Sequence, residues 1–281
     1  MRQVHLPRTL AELWSTLKAE SNALIFAGGT DLFVKMRANK ADAVTLIGLE
    51  RIAELRDIRE DDGEIRIGAC ATHNEILCHP LIKTHLPVLV QALRTLGAPP
   101  IRTMGTIGGN ICTASPAGDT LPPLYVLRAV LEIGSLHSHR TLPIRDFIVG
   151  PGKTQLKAGE ILMAVRVKKP QGFNLQHFEK VGQRKSMACA IASMAVLLKV
   201  TPSGIIEEGR LAWGSVGPTV VTDKGIEEFL IGKKISKKTL FDTAERLTSV
   251  VFPIDDIRAS ADYRRTVSGN LLLRLMNIKV G

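Results

Sequence analysis

Two glycine pairs, each set directly after an apolar lead-in, restrict the folds open to this chain more than any other feature. The first lies in Leu24-Ile25-Phe26-Ala27-Gly28-Gly29-Thr30-Asp31-Leu32, where a run of strand character breaks at the glycines and a helical pattern (Leu32, Phe33, Met36) follows. That is a strand–turn–helix, with the helix N-terminus aimed where an anion would sit. The second lies in Thr103 to Leu124, TMGTIGGNICTASPAGDTLPPL, with Thr106-Ile107-Gly108-Gly109-Asn110 as its core and Asp119 downstream. Paired glycines allow positive φ and leave their N–H groups uncovered by a Cβ, and Gly109 in particular is expected to use that freedom. Successive uncovered N–H groups form a concave nest suited to phosphate. One such turn is weak evidence; two, followed by an acid, point to a ligand with two phosphates and a polar body.

Around these segments the periodicity predicts an α+β protein. A capped helix from Thr9 carries Leu10, Leu13, Trp14 and Leu17 on one face, and strands are expected at 23–26 and 43–47. Together with a helix at 31–37 they imply a small parallel unit. A hairpin is expected across Asp61-Asp62-Gly63, and Thr72-His73-Asn74-Glu75 reads as a capping box. A helix is predicted over 88–96, and Asp119 or Thr120 is the expected cap of the helix carrying Leu124 and Leu127. Strands at 129–135, 139–144 and 161–167 make the middle region mostly antiparallel. Pro170-Gln171-Gly172 marks the boundary to a three-stranded antiparallel sheet (173–181, 189–200, 209–215) and helices at 226–230, 237–248 and 261–278. The predicted division is 1–169, with sub-units at about 1–50 and 51–169, then 170–281.

Composition narrows the function classes. With 281 residues, 45% hydrophobic and 23% charged, the chain reads as globular, and no apolar run reaches the length of a membrane span. The opening MRQVHLPRTL lacks a signal-peptide core, so a cytoplasmic location is expected. The net charge of +10 admits nucleic acid as a partner, but the basic residues are dispersed. Two Tyr and two Trp also leave little for base stacking, so a solvated basic surface or a face for an acidic partner is the preferred reading. Cys70, Cys78, Cys112 and Cys189 form no C-x-x-C pair, which argues against a metal or cluster site built by this chain alone. Cys112 stands out for its place just after the second glycine pair.

AGGTDL at Ala27 to Leu32, TIGGN at Thr106 to Asn110 and the following SPAGDTLPPL resemble the FAD-binding subunit of molybdenum hydroxylases, the xanthine dehydrogenase, carbon monoxide dehydrogenase and aldehyde oxidase group. Phe178-Glu179-Lys180, Met187-Ala188 and Asp262-Tyr263-Arg264-Arg265 are similar to that subunit's second domain. The resemblance implies FAD as cofactor, a large molybdopterin-binding partner, a small [2Fe-2S] partner and a higher oligomer of the heterotrimer. It implies electron transfer from the partner's clusters through FAD to an external acceptor. It also implies that Ile25, Phe26, Ala27, Gly28, Gly29, Thr30, Asp31 and Leu32 wrap the diphosphate. Thr106, Ile107, Gly108, Gly109 and Asn110 would supply a second backbone cradle, and Asp119 would accept from a cofactor hydroxyl. Leu96 occupies a place where some relatives carry an aromatic beside the flavin. Leu162 and Lys180 match positions near the isoalloxazine ring, where a cation would favour reduced, anionic flavin.

A stand-alone FAD oxidoreductase would need its own acid/base set, which the sequence does not display. Asp119 alone reads as a helix cap and Lys180 alone as a solvated strand residue. His137 and His139 share a strand face without a third ligand, and His73, His79 and His85 lack a common spacing, so none is assigned to a metal. Gly152-Lys153-Thr154 is not a P-loop, because Phe147 stands where the leading glycine belongs.

Overall fold

The computed structural model describes residues 3–38, 44–184 and 187–278. In chain order, the first part holds β1 (Val4–His5), α1 (Leu10–Ala19), β2 (Leu24–Phe26), α2 (Leu32–Ala38), β3 (Leu46–Gly48), β4 (Ile58–Asp61) and β5 (Glu64–Gly68). Six helices follow: α3 (His73–Cys78), α4 (Pro80–His85), α5 (Pro87–Thr95), α6 (Pro99–Met104), α7 (Ile107–Thr113) and α8 (Leu121–Val126). Then come β6 (Val130–Gly134), β7 (His139–Pro143), α9 (Ile144–Phe147), β8 (Ile148–Gly150), β9 (Lys153–Thr154) and β10 (Ile161–Lys168). The chain closes with β11 (Leu175–Val181), β12 (Ala192–Val200), β13 (Ile206–Gly214), α10 (Lys224–Leu230), α11 (Lys237–Leu247) and α12 (Ala261–Leu273).

These elements form two compact units that are not consecutive in sequence. One comprises Met1–Leu81, Ala98–Ala114 and Ala129–Lys168; the other comprises Ile82–Gly97, Ser115–Arg128 and Lys169–Gly281. The class is α+β, as expected.

The first unit contains a parallel sheet of order β1-β3-β2 and an antiparallel sheet of order β4-β5-β10-β6-β7. Leu13 of α1, Ile47 of β3, and Leu49, Ile52, Leu55, Ile161 and Met163 form one buried cluster, against which Trp14, Leu17 and Ile25 pack. Thr9 caps α1 by accepting from Glu12 N, while the Glu12 carboxylate takes Arg8 N–H at 2.7 Å. The Thr72 capping box forms in full, with Glu75 N donating to Thr72 Oγ1 and Thr72 N to the Glu75 carboxylate. β1 was not anticipated: its two residues pair with Leu46 and Ile47. Ala43, the expected first residue of the strand that became β3, lies outside the described residues.

The expectation of a glycine turn at 106–110 is overturned. Thr106 is the N-cap of α7, and Gly108 and Gly109 are helical, with no positive φ at either. The Gly152-Lys153-Thr154 loop is in fact the tip and second strand of a small hairpin, β8 with β9. The cap expected from Asp119 or Thr120 also fails: Thr120 stands at the N-cap of α8 without a side-chain cap bond, at φ −80 and ψ −17. That αR backbone differs from the extended conformation through which a capping side chain reaches back.

The second unit is built on the antiparallel sheet β11-β12-β13. Met194, Val196 and Leu198 of β12 meet Leu211 and Trp213 of β13 in its core, which Leu230, Leu240, Leu247, Leu271 and Leu272 of the helices complete. Ser236 caps α11 as the sequence suggested. Arg264 of α12 is buried and ties this unit together: it donates to Ile191 O at 2.8 Å and to Asp256 Oδ1 at 2.6 Å. Backbone donation from Arg258, joined by Arg264, holds Asp256 down at about 2. Among the described residues, no helix is long and apolar enough to cross a membrane.

Candidate functional site

At the first glycine segment, β2 ends at Phe26 and α2 begins at Leu32, and the residues between them form a tight, half-buried loop. A Cβ on Gly28 would stand 1.7 Å from Met104 O, so the loop lies directly on the last carbonyl of α6. Gly29 adopts φ +70, and its Cα faces the Phe33 ring, which a Cβ would meet at 2.3 Å. Among the described residues, the N–H groups of Ala27, Gly28, Gly29, Thr30 and Asp31 donate to no protein acceptor. Five successive donors without acceptors are what an anionic, oxygen-rich ligand requires. Asp31 itself is fixed, its carboxylate accepting from Thr113 Oγ1 at 3.0 Å and pairing with Lys35 at 2.6 Å. Ile25 packs against the buried cluster around Leu13 and Ile47, and the Phe26 and Phe33 rings lie 5.1 Å apart.

The second segment uses its donors internally. Ile107 N donates to Ala71 O at 3.1 Å, Gly108 N to Ala69 O at 2.8 Å, Gly109 N to Thr106 Oγ1 at 3.1 Å and Asn110 N to Thr106 O at 3.0 Å. Gly108 is there for contact, since a Cβ would come within 2.7 Å of Ala69. The second backbone cradle is therefore closed by the protein's own acceptors, and what faces outward is the exposed Gly109 and the half-buried Asn110. Burial pushes the thiol of Cys112, two residues on, up to about 12, which disfavours its thiolate.

In the second unit, Asp119 and Lys180 form a buried ion pair at 2.6 Å, with side chains 8% and 7% exposed. Lys180 Nζ also donates to Thr95 O at 2.9 Å and Ala188 O at 3.2 Å, which uses all three of its protons. Lys180 is thus a satisfied, buried cation whose field Asp119 largely offsets, not the solvated strand residue it reads as on its own. Asp119 keeps one oxygen to spare: Oδ1 is buried and has no partner. Burial pushes its carboxyl up to about 6, against the pull of Lys180. A buried acceptor left over at such a carboxylate calls for a donor. Leu96, at the end of α5 in the same unit, is buried, as is Leu162 of β10 in the first unit, beside a bulge opposite β6.

The sequence reading missed the pairing of Asp119 with Lys180, which lie 61 residues apart, and the Thr113 tether of Asp31. No local pattern advertises either. His139 opens β7 and His137 lies in the turn before it. Among the described residues no group of three or more His, Cys, Asp or Glu is gathered as a metal would need. In the first unit the unengaged donors at 27–31 suit phosphate oxygens, and in the second the unpartnered Asp119 Oδ1 suits a hydroxyl.

Comparison with known proteins names the class. Residues 1–170 match the FAD binding domain in molybdopterin dehydrogenase, and residues 177–278 match the CO dehydrogenase flavoprotein C-terminal domain. The chain belongs to the FAD-binding subunits of the molybdenum hydroxylase family, and is an oxidoreductase flavoprotein of that group. It is 32% identical to the nicotinate dehydrogenase FAD-subunit of Eubacterium barkeri, over 92% of this chain and 89% of the relative. It is 30% identical to the xanthine dehydrogenase FAD-binding subunit of Escherichia coli O157:H7, over 92% and 89%. A chain of carbon monoxide dehydrogenase from Hydrogenophaga pseudoflava, solved without the Mo-pyranopterin moiety, superposes with TM-score 0.91 at 28% identity, over 98% and 96%. A chain of quinoline 2-oxidoreductase from Pseudomonas putida 86 gives 0.92 at 26%, over 99% and 96%.

Proposed function

We propose that this chain is the FAD-carrying, electron-transferring subunit of a cytoplasmic complex in which a large molybdopterin-binding partner oxidises the substrate. A small [2Fe-2S] partner delivers the electrons, which leave for an external acceptor, and the heterotrimer pairs further into a higher oligomer. The observation that carries this reading is the run of unengaged N–H groups at residues 27–31, within a chain whose first part matches an FAD-binding family.

By sequence, residues 1–169 are the FAD-binding part, with sub-units at about 1–50 and 51–169, and 170–281 the flavoprotein C-terminal part. Ile25 and Phe26 set the strand from which Ala27 to Leu32 present donors to the diphosphate. Thr106 to Asn110 shape the wall beside that loop and present Gly109 and Asn110 outward. Asp119 Oδ1 accepts from a cofactor hydroxyl, Lys180 holds the carboxylate in place, and Leu96 and Leu162 supply apolar surface toward the ring. When bound, FAD supplies the redox chemistry, so the chain's own residues bind, orient and exclude water without a general base or nucleophile.

The test is purification of the chain alone and beside its native partners. Alone, it is expected to bind FAD and to oxidise no purine, aldehyde or aromatic substrate. Copies isolated from the native source are expected to bring iron and molybdenum with them. Turnover by the lone chain, with no molybdenum present, would sink the subunit reading.

A further inference from the structure

His73 is the first residue of α3 and is 3% exposed. Its backbone N–H donates to Gly105 O at 2.9 Å, whereas its ring Nδ1 is buried and has no hydrogen-bond partner. Among the described residues the ring makes no hydrogen bond at all. Burial, with nearby Arg102 second, lowers the group to about 4, so the imidazole is neutral near pH 7.

Its location is informative. A Cβ on Gly105 would meet His73 Cδ2 at 3.1 Å and Thr30 Oγ1 at 3.4 Å. The Cδ2–Nε2 edge of the ring and the hydroxyl thus line the same backbone position, one residue before Thr106 and next to Met104, on which Gly28 rests. A neutral imidazole carries one donor and one acceptor. Leaving it buried without a partner costs free energy that packing alone does not return. Thr30, whose hydroxyl shares that position, belongs to the run of residues 27–31 whose N–H groups are equally unengaged.

We propose that His73 is a further FAD-binding residue, whose neutral imidazole hydrogen-bonds an oxygen of the cofactor's ribose–diphosphate portion beside Thr30. This rests on the FAD reading above. Neutrality suits the place: the ring adds a directed bond without adding a second charge beside Arg102.

The experiment uses the full chain, stripped of flavin, titrated with FAD by fluorescence and melted with and without FAD. His73→Met is expected to raise the FAD Kd about fivefold to tenfold. It is expected not to lower the melting point of the flavin-free chain, because an unpartnered polar group gives way to an adaptable apolar side chain of similar volume. His73→Gln, whose longer amide can place a donor near the Nε2 position on that edge, is expected to stay within about twofold of the parent Kd. A folded His73→Met chain with unchanged Kd overturns the proposal, as does a lowered flavin-free melting point with the FAD-induced shift intact, which is the mark of packing alone. Should His73→Met not fold, His73→Ala decides by the same two readouts. An unmutated chain that binds no FAD defeats the underlying reading, and this proposal with it.

Discussion

At residues 27–31, five backbone N–H groups are left without protein acceptors; at residues 107–110, every one of four is already taken. The two glycine segments lie in the same unit and are joined through Asp31 and Thr113. What separates them is the reason for the glycines. Gly28 and Gly29 let a loop lie on Met104 O and turn through φ +70, and its donors find no protein acceptor. Gly108 lets a helix press on Ala69, and its donors point into the protein. A Gly-Gly pair therefore marks either an open donor set or a close helix contact, and only the fate of the N–H groups separates them.

The sharpest way to break this contrast is Gly28→Ala. A Cβ 1.7 Å from a main-chain carbonyl oxygen cannot be relieved by a side-chain rotation, so the loop must move off α6. Misaligning two hydrogen bonds to charged phosphate oxygens costs about 3–6 kcal/mol, or roughly two to four decades in FAD affinity. Flavin absorbance and a thermal melt on one preparation check this. A folded Gly28→Ala chain with parent-like FAD content would show that the first segment is no cradle.

Gly108→Ala should behave differently. Its Cβ meets Ala69 within 2.7 Å, and overpacking of this kind destabilises by about 1–3 kcal/mol. Because the donors there are spent internally, the FAD Kd of the folded fraction is expected to stay close to the parent value. Denaturant melts, followed by FAD titration well below the transition, separate stability from affinity. A loss of affinity exceeding the loss of stability would reopen the second segment as a ligand site.

Asp119 extends the contrast from unengaged donors to an unengaged acceptor. A hydroxyl donating to Oδ1 favours the carboxylate over the acid. The carboxyl titrates near 6, so FAD binding should tighten as pH rises from about 5 to about 7, by up to about tenfold, and Asp119→Asn should flatten that slope. The stability of the flavin-free chain runs the other way. A raised carboxyl binds its proton more tightly folded than unfolded, so stability falls as pH rises from about 4 to about 6 and is level above that. Equal pH slopes in parent and variant would remove Asp119 from the cofactor.

Much of the architecture was legible because its signals are local. The Asp62-Gly63 hairpin, the Thr72 capping box and the Ser236 cap each depend on residues a few positions apart, and each formed. What was illegible depends on distance in sequence. β1 is too short to carry a pattern and exists through its partner β3. α7 reads as a turn because two glycines are poor helix formers, and it forms because Thr106 caps it and Ala69 and Ala71 hold its first turn. At the site, AGGTDL was readable as a donor loop, whereas the Asp119–Lys180 pair and the His73 environment are products of tertiary packing.

The smallest expected effect falls at Gly109, where the sequence suggested a positive φ. A Cβ there meets only Thr106 Oγ1, at 3.0 Å, the hydroxyl that already accepts from Gly109 N. The Thr72 cap shows that this arrangement tolerates a side chain: Glu75 occupies the equivalent third position of α3, and its N–H donates to Thr72 Oγ1 at 3.2 Å. Gly109 is also helical and without positive φ, so alanine should restrict the unfolded chain and stabilise the protein by about 0.5–1 kcal/mol. FAD affinity should change little, because no donor of Gly109 is free to be blocked. Measured beside Gly28→Ala, the Gly109→Ala variant sets the floor of the contrast. If it folds, melts higher and still loses FAD, then the cofactor approaches the exposed face of α7 closely enough that one methyl group excludes it, and both glycine segments would have to be read as cradles after all.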